Sequence, residues 1–429
     1  MHVGRGWRQV VFGSPIRLDL QIICTSTTPV RKYLGLWPAL PIRVEYYSDG
    51  TDFNKASNED NIVYALEQTD RVCDVRLHIT DSEMEKISAA MWEPFPELTR
   101  LEILPFEDHG IALPLPLEFL GGSAPRLQSI HLSGIPFPAL PTLFLTISDL
   151  IDLDLFNIPW TGYISPEAMV VGLSTFPRLR SFHIDFQLAS PVPDRIHPPP
   201  VTRTILPALT QFIFHGASEY LEDLVARIDA PRLDRIYTFP IYQLVHFQVA
   251  QLAMFIDRSV GPKLTLFRFA RVTLYNHKIS FHLSPYSPFA TPDVVCDGID
   301  WQVSHIAQVV SHFSVTLSNV VHLELEDAIS IIFEGTDDIA WLQLLQQFPT
   351  VQTLLVSFEL AGYVALTLED IPSETVVEVL PSLDLIYLQG WSASWIEKFV
   401  AARQLSGHPV TVIDTEKEFY KRAKSYVRE

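Results

Sequence analysis

The sequence is poor in cationic residues. Lys and Arg number 31 against 50 Asp and Glu, a formal net charge of −19 over 429 residues. Phosphate backbones and anionic bilayers both need a cationic surface, so neither nucleic acid nor membrane is an expected partner. The basic cluster Lys417, Lys421, Arg422, Lys424 and Arg428 is interleaved with Glu416, Glu418 and Glu429, and residues 413–429 read as a solvated charged tail. Cysteine is scarce as well. Cys24, Cys73 and Cys296 are far apart and odd in number, which excludes a disulfide framework and points to a reducing compartment, cytoplasmic or nuclear. No run reaches the ~18 apolar residues of a membrane span, and no apolar core follows Arg5 and Arg8 to make a signal peptide. Neither H-E-x-x-H nor G-x-S-x-G occurs, and "FLGGSAP" (119–125) lacks the spacing of a phosphate loop. It reads as a turn before a strand, and no cofactor is expected.

What is present is a large apolar fraction, 48%, and 32 prolines where about 5% usage would give roughly 21. The apolar residues follow a period. The spacing L-x-x-L-x-L recurs as Val72, Val75, Leu77, as Leu98, Leu101, Ile103, and as Leu127, Ile130, Leu132. It continues from Leu150, Leu179, Leu209, Leu233 and Leu264, then from Val320, Val351 and Leu383, at a step of about 28 residues. Five units enter through a Pro-x-Leu turn: "FPEL", "APRL" (twice), "FPRL" and "LPAL". Proline suits the mouth of a short strand because it fixes φ and its missing N–H lies outside the ladder.

Helical signals alternate with these strands. "SPEAMVVGL" (165–173) offers a Ser cap and a first-turn proline. "SEYLEDLVARI" (218–228) places Leu221, Leu224, Val225 and Ile228 on one face, and "DDIAWLQLLQQF" (337–348) does the same with Trp341, Leu344, Leu345 and Phe348. In "SWIEKFVAARQLSG", Ser394 and Glu397 make a capping box and Gly407 a stop. Trp301, Trp391 and Trp395 read, like Trp341, as packing residues. The 56-residue gap between 264 and 320 holds "RVTLYNHKISFHL", read as an inserted hairpin split at Asn276 and His277. One strand and one helical return per unit predicts an α/β fold, a curved leucine-rich-repeat solenoid with parallel strands on its concave face and irregular helices outside.

The opening stretch, "VGRGWRQVVFGSPIRLDLQII" (3–23), resembles the C-terminal end of an F-box domain. The likeness is closest to F-box-like proteins of mushroom-forming fungi, whose V-C-x-x-W-R helix, apolar pair and "SP" lead into a repeat solenoid. It runs on through "FLGGSAPRLQSIHLSGIPFPALPTLFL" (119–145), "NIPWTGYISPEAMV" (157–170), "LPALTQFIFHGASEYLEDLVARIDAPRLD" (206–234) and "FVAARQLSGHPVTV" (399–412). Gly4 stands where the family has cysteine, and the leading "LPxE" helix is not in the sequence. The resemblance implies an F-box remnant over 1–24 and a solenoid over 25–412. It also implies a role like that of the substrate-recognition subunit of an SCF ubiquitin ligase. Val3, Trp7, Arg8 and Val11 would carry what contact remains with a Skp-type adaptor. The alternative is a stand-alone scaffold without a ligase role.

Inside each strand, offsets +2 and +4 fall between the core positions and would face a protein target. The candidates are Arg76, Glu102, His131, Asp154, His183, Tyr237, Arg268, Glu324 and Tyr387 at +4, with Arg100, Asp152 and Arg235 at +2. His131, Asp154 and His183 on consecutive strands, ~5 Å apart, form the one constellation that could bind zinc or run acid–base chemistry. A flat sheet face does not exclude water and no nucleophile lies nearby, so a polar ligand-facing surface is the preferred reading, without metal or catalysis.

Overall fold

The computed structural model describes residues 20–36, 39–47, 55–106, 114–138, 140–187, 202–242, 249–260, 268–274, 278–284, 293–297, 303–313, 317–327, 338–372, 374–388 and 396–413. The proposed remnant residues Val3, Trp7, Arg8 and Val11, all of the tail 413–429 but Ile413, Ser394, Trp301, Trp391 and Trp395 lie outside them. The chain divides into two compact units. One comprises Met1–Arg195 with Pro200–Thr210, the other Ile196–Pro199 with Gln211–Glu429.

The first unit carries β1 (Ile22–Thr25), β2 (Ile42–Tyr47), β3 (Val72–Ile79), β4 (Arg100–Pro105), β5 (Ser129–Ser133), β6 (Asp152–Ile158), β7 (Ser181–Phe186) and the two-residue β8 (Thr204–Ile205). Strands β1 to β7 pair in chain order and every pair is parallel. The predicted triplets lie in register: Val44, Val75, Leu101, Ile130, Leu153 and Phe182 face one another across six strands and are all buried. Because side chains alternate along a strand, this fixes offsets +2 and +4 on the opposite face. β1 crosses the residue 24/25 boundary drawn from the resemblance, and its Cys24 is fully buried opposite Val44.

The Pro-x-Leu entries are β-turns with proline at the second position, where its fixed φ is already correct. In each, the residue before proline accepts a hydrogen bond from the strand's first apolar residue. These run from Leu98 to Phe95, Leu127 to Ala124, Leu179 to Phe176, Leu209 to Leu206 and Leu233 to Ala230, at 3.1 to 3.3 Å. Val351 to Phe348 and Leu383 to Leu380 repeat the device. In the "FLGG" turn before β5, Gly121 adopts φ +55° against Pro94. A Cβ there would lie 2.6 Å from the proline nitrogen, so only glycine fits.

The second unit carries β9 (Gln211–Ala217), β10 (Ile228–Asp229), β11 (Arg235–Tyr242), β12 (Phe269–Leu274), β13 (Lys278–Ser284), β14 (Asp293–Asp297), β15 (His322–Asp327), β16 (Thr353–Val356), β17 (Leu385–Leu388) and β18 (Thr411–Ile413). The predicted hairpin is present as antiparallel β12 and β13. It is joined by β14, which the sequence did not reveal: β14 pairs antiparallel with β13 and parallel with β11. Beyond it, β12, β15, β16, β17 and β18 are parallel again.

The helices follow the expected segments. Ser165 caps Pro166–Leu173 through a 3.2 Å hydrogen bond from the Ala168 N–H. Leu221, Leu224 and Val225 are buried on Ser218–Ala226, and Trp341, Leu344 and Leu345 on Asp338–Gln346; both helices end two residues before the expected segments, so that Ile228 is buried in β10 and Phe348 in the turn that follows. The last helix begins at Glu397, with Ile396 as its cap residue, and Gly407 turns the chain at φ +78°. Neighbouring helices cap one another. Glu222 accepts from the Gln251 and Leu252 N–H groups at 2.8 Å each, at the start of helix Ala250–Val260, and Glu369 accepts from the Lys398 N–H at 3.1 Å. The orphan donors of one helix are thus satisfied by a carboxylate from the preceding repeat. Among the described residues, no helix is long and apolar enough to cross a membrane.

Candidate interaction face

In the first unit, the strand face opposite the core is an array of polar side chains in two columns. On β2 to β4, charges alternate both along and across strands. Arg43 contacts Glu45 at 2.5 Å and Asp74 at 3.5 Å, Arg76 contacts Asp74 at 3.1 Å, and Arg100 contacts Glu102 at 3.0 Å. His78 lies 3.6 Å from Glu102 and packs against the Tyr47 ring at 4.6 Å. Burial alone would raise the Glu102 carboxyl, but the hydrogen bond and charge of Arg100 outweigh it and hold it below the usual carboxylate range. The Asp74 hydrogen bond likewise raises the Arg76 guanidinium.

His131, Asp154 and His183 do come together. His131 Nδ1 stands 2.6 Å from Asp154 Oδ2, and His183 Nδ1 stands 2.7 Å from Oδ1. The second contact lacks the alignment of a hydrogen bond, because Oδ1 has no hydrogen-bonding partner of good geometry. Burial would raise Asp154. The two imidazoles overcome it and hold the carboxyl far below the carboxylate range. In return the Asp154 hydrogen bond raises His131 against the cost of its burial. Both carboxylate oxygens are engaged by imidazole, and no group of three His, Cys, Asp or Glu with metal-holding geometry occurs among the described residues. The arrangement ties three strands together at their outer face.

Asp152, one pair of residues earlier on β6, is different. It faces Ser129 and Ser181 on the neighbouring strands. The residue is exposed, yet partial desolvation raises its carboxyl, while Arg100 and Arg180 lower it through charge alone. At the other end of β6, Asn157 takes φ +53°, a left-handed conformation asparagine tolerates, where the pairing slips between Leu155 and Ile158. The preceding Phe156 is left 44% exposed, with its ring edge-on to His183 at 5.7 Å.

In the second unit the structure revises the columns. Arg268 is not at an outward strand position. It precedes β12, and its carbonyl accepts from the Val321 and His322 N–H groups. The register Ala270 to Leu323 and Val272 to Leu325 moves the repeat phase by three residues, so that Arg271 occupies the place assigned to Arg268. Arg271 contacts Glu324 at 2.7 Å and Glu326 at 3.6 Å. Burial and the repulsion of Glu326 push the Glu324 carboxyl up to about 7 despite Arg271. Glu324 is 5% exposed and Tyr387 7%, so both are buried rather than presented. Arg235 and Tyr237 face Gln211 and Ile213 on β9, Arg235 exposed and Tyr237 half-buried. Arg43, Glu45 and Phe156 belong to the face of the first unit but were not among the candidates. The strand β2 escaped because its core residues Ile42, Val44 and Tyr46 are evenly spaced, one residue shorter than the triplet, with a register shift against β3.

No protein-family model matches the chain, and no curated protein matches it. Among solved structures, it is similar to the leucine-rich repeat-containing protein LegL7 from Legionella pneumophila. The two are 12% identical with a TM-score of 0.28, over 91% of this chain and 99% of that one. At that score the likeness carries no argument, and the assignment of an α/β fold with parallel strands rests on the strand pairing itself.

Proposed function

We propose that this chain is a protein–protein interaction scaffold, a leucine-rich-repeat solenoid that holds a target protein on its outward sheet face and catalyses no reaction. The observation that carries the reading is the array on β2 to β7, whose side chains are fixed by cross-strand ion pairs before any partner arrives. Pre-ordered side chains lower the entropic cost of association. The His131–Asp154–His183 group fits this role better than chemistry, because each imidazole already has its partner in the carboxylate. Given the resemblance of residues 3–23 to an F-box end, the scaffold serves as the substrate-recognition subunit of an SCF-type ubiquitin ligase. Gly4 in place of the family's cysteine favours the second reading, a repeat scaffold without a ligase role.

The two readings separate in one experiment. Purified full chain and a Skp-type adaptor are mixed and run by size exclusion, beside the variant Trp7→Ala. The ligase reading expects co-elution that the variant loses. Separate elution of the wild-type chain and adaptor would leave the scaffold alone.

A further inference from the structure

The outward face of the first unit's strands is electrostatically divided. On β2 to β4, three arginines (Arg43, Arg76, Arg100) balance three acids (Glu45, Asp74, Glu102) at ion-pair distance. On β5 to β7, the outward positions from Ser129 to His183 hold Asp152 and Asp154 with His131 and His183, and no Lys or Arg. Asp154 has an imidazole nitrogen within 2.7 Å of each carboxylate oxygen. Asp152 is exposed and, among the described residues, has no cation at ion-pair distance; Arg100 and Arg180 reach it only through longer-range charge. Four residues along the same strand, Phe156 offers an exposed ring, and Trp160 in the following turn is 64% exposed.

We infer that β5 to β7 dock a basic protein segment, an Arg or Lys side chain seated at Asp152 beside an apolar or aromatic contact at Phe156. The inference rests on the scaffold reading above and names the partner's chemistry. A guanidinium or ammonium would give Asp152 the charge partner that every other acid in the two columns of this face has within the sheet. The hydroxyls of Ser129 and Ser181 on either side can accept hydrogen bonds from it. The Phe156 ring supplies a face for the cation or for the neighbouring apolar residue.

The test selects random twelve-residue peptides displayed on phage against the full chain. The expected result is enrichment of peptides with Arg or Lys next to an apolar residue. Affinity for a synthetic copy should fall at least about tenfold in Asp152→Lys, whereas Glu93→Lys, an exposed acid on the turn before β4, should bind unchanged. Thermal unfolding checks that both variants fold. Enriched peptides that lack basic residues yet are lost in Phe156→Glu would overturn the charge argument and leave the scaffold reading standing. No enrichment, or binding unaffected by every outward-face substitution, would overturn both.

Discussion

Asp154 is held between two imidazoles, and the consequence is a pH signature. His131 is raised above 6.5, so its share of stability is complete below that pH and is lost as pH rises through the higher folded value. Asp154 is depressed below 3.8, so its share is present above that pH and lost as pH falls through the folded value. Replacing Asp154 with Asn removes the hydrogen bond and charge that raise His131, leaving burial and Arg100 to lower the imidazole against the weaker pull of Glu102. His131 should then titrate below 6.5 in an NMR titration of the ring protons. An unshifted or higher value would mean the carboxylate is not its partner. Glu324 has the opposite sign. Its carboxyl is raised from 4.5 to about 7, so the folded state binds more protons than the unfolded state between those values, and stability falls as pH rises through them. Glu324→Gln should flatten that decline, by about 3 kcal/mol at most. Urea denaturation at pH 5 and pH 8 reads it, and identical slopes in both proteins would refute it. At this scale the sequence was informative where a strand phase was clear. His131, Asp154 and His183 are where the triplets put them. Arg271 was hidden because Ala270 is too small to mark the core position of β12, while Phe267 and Phe269 drew the phase three residues early.

The elements hold together through contacts between successive repeats. Gly172 in the helix Pro166–Leu173 sits against Phe144, and an added Cβ would meet the ring at 2.5 Å. Gly172→Ala should therefore cost about 1–3 kcal/mol despite alanine's better helix propensity. A melting temperature equal to or above wild type would show that the ring gives way. Glu222→Ala removes two hydrogen bonds from the next helix's first turn and should cost about 1–3 kcal/mol. Faster hydrogen exchange at Gln251 and Leu252 should accompany it, and unchanged exchange there would contradict the capping role. The turns and amphipathic helices were legible because each rests on local chemistry: proline at a turn's second position, a serine cap, a glycine stop. β2, β14 and β18 were not. Their lengths and places are set by pairing with neighbours distant in sequence, and β14 in particular exists to join a parallel strand to an antiparallel one.

For the whole molecule, the repeat step was legible in the sequence because every unit must bury the same three positions against its neighbours. The division into two compact units was not, since nothing in the apolar period marks it. The polarity of the sheet follows from the same period: one face buries the triplets, and the other carries ion pairs and half-buried rings. On that division rests the central claim, that a partner protein docks on the outward face of β5 to β7. The most direct measurement places a photo-crosslinking amino acid at Ser181 on that face, and separately at Val171, which is 58% exposed on the helix Pro166–Leu173. Irradiation in an extract of the source organism should give a discrete heterologous adduct from position 181, competed by a basic peptide selected on the chain, and none from 171. Adducts from 171 alone, or an adduct from 181 that the basic peptide does not compete, would contradict the account.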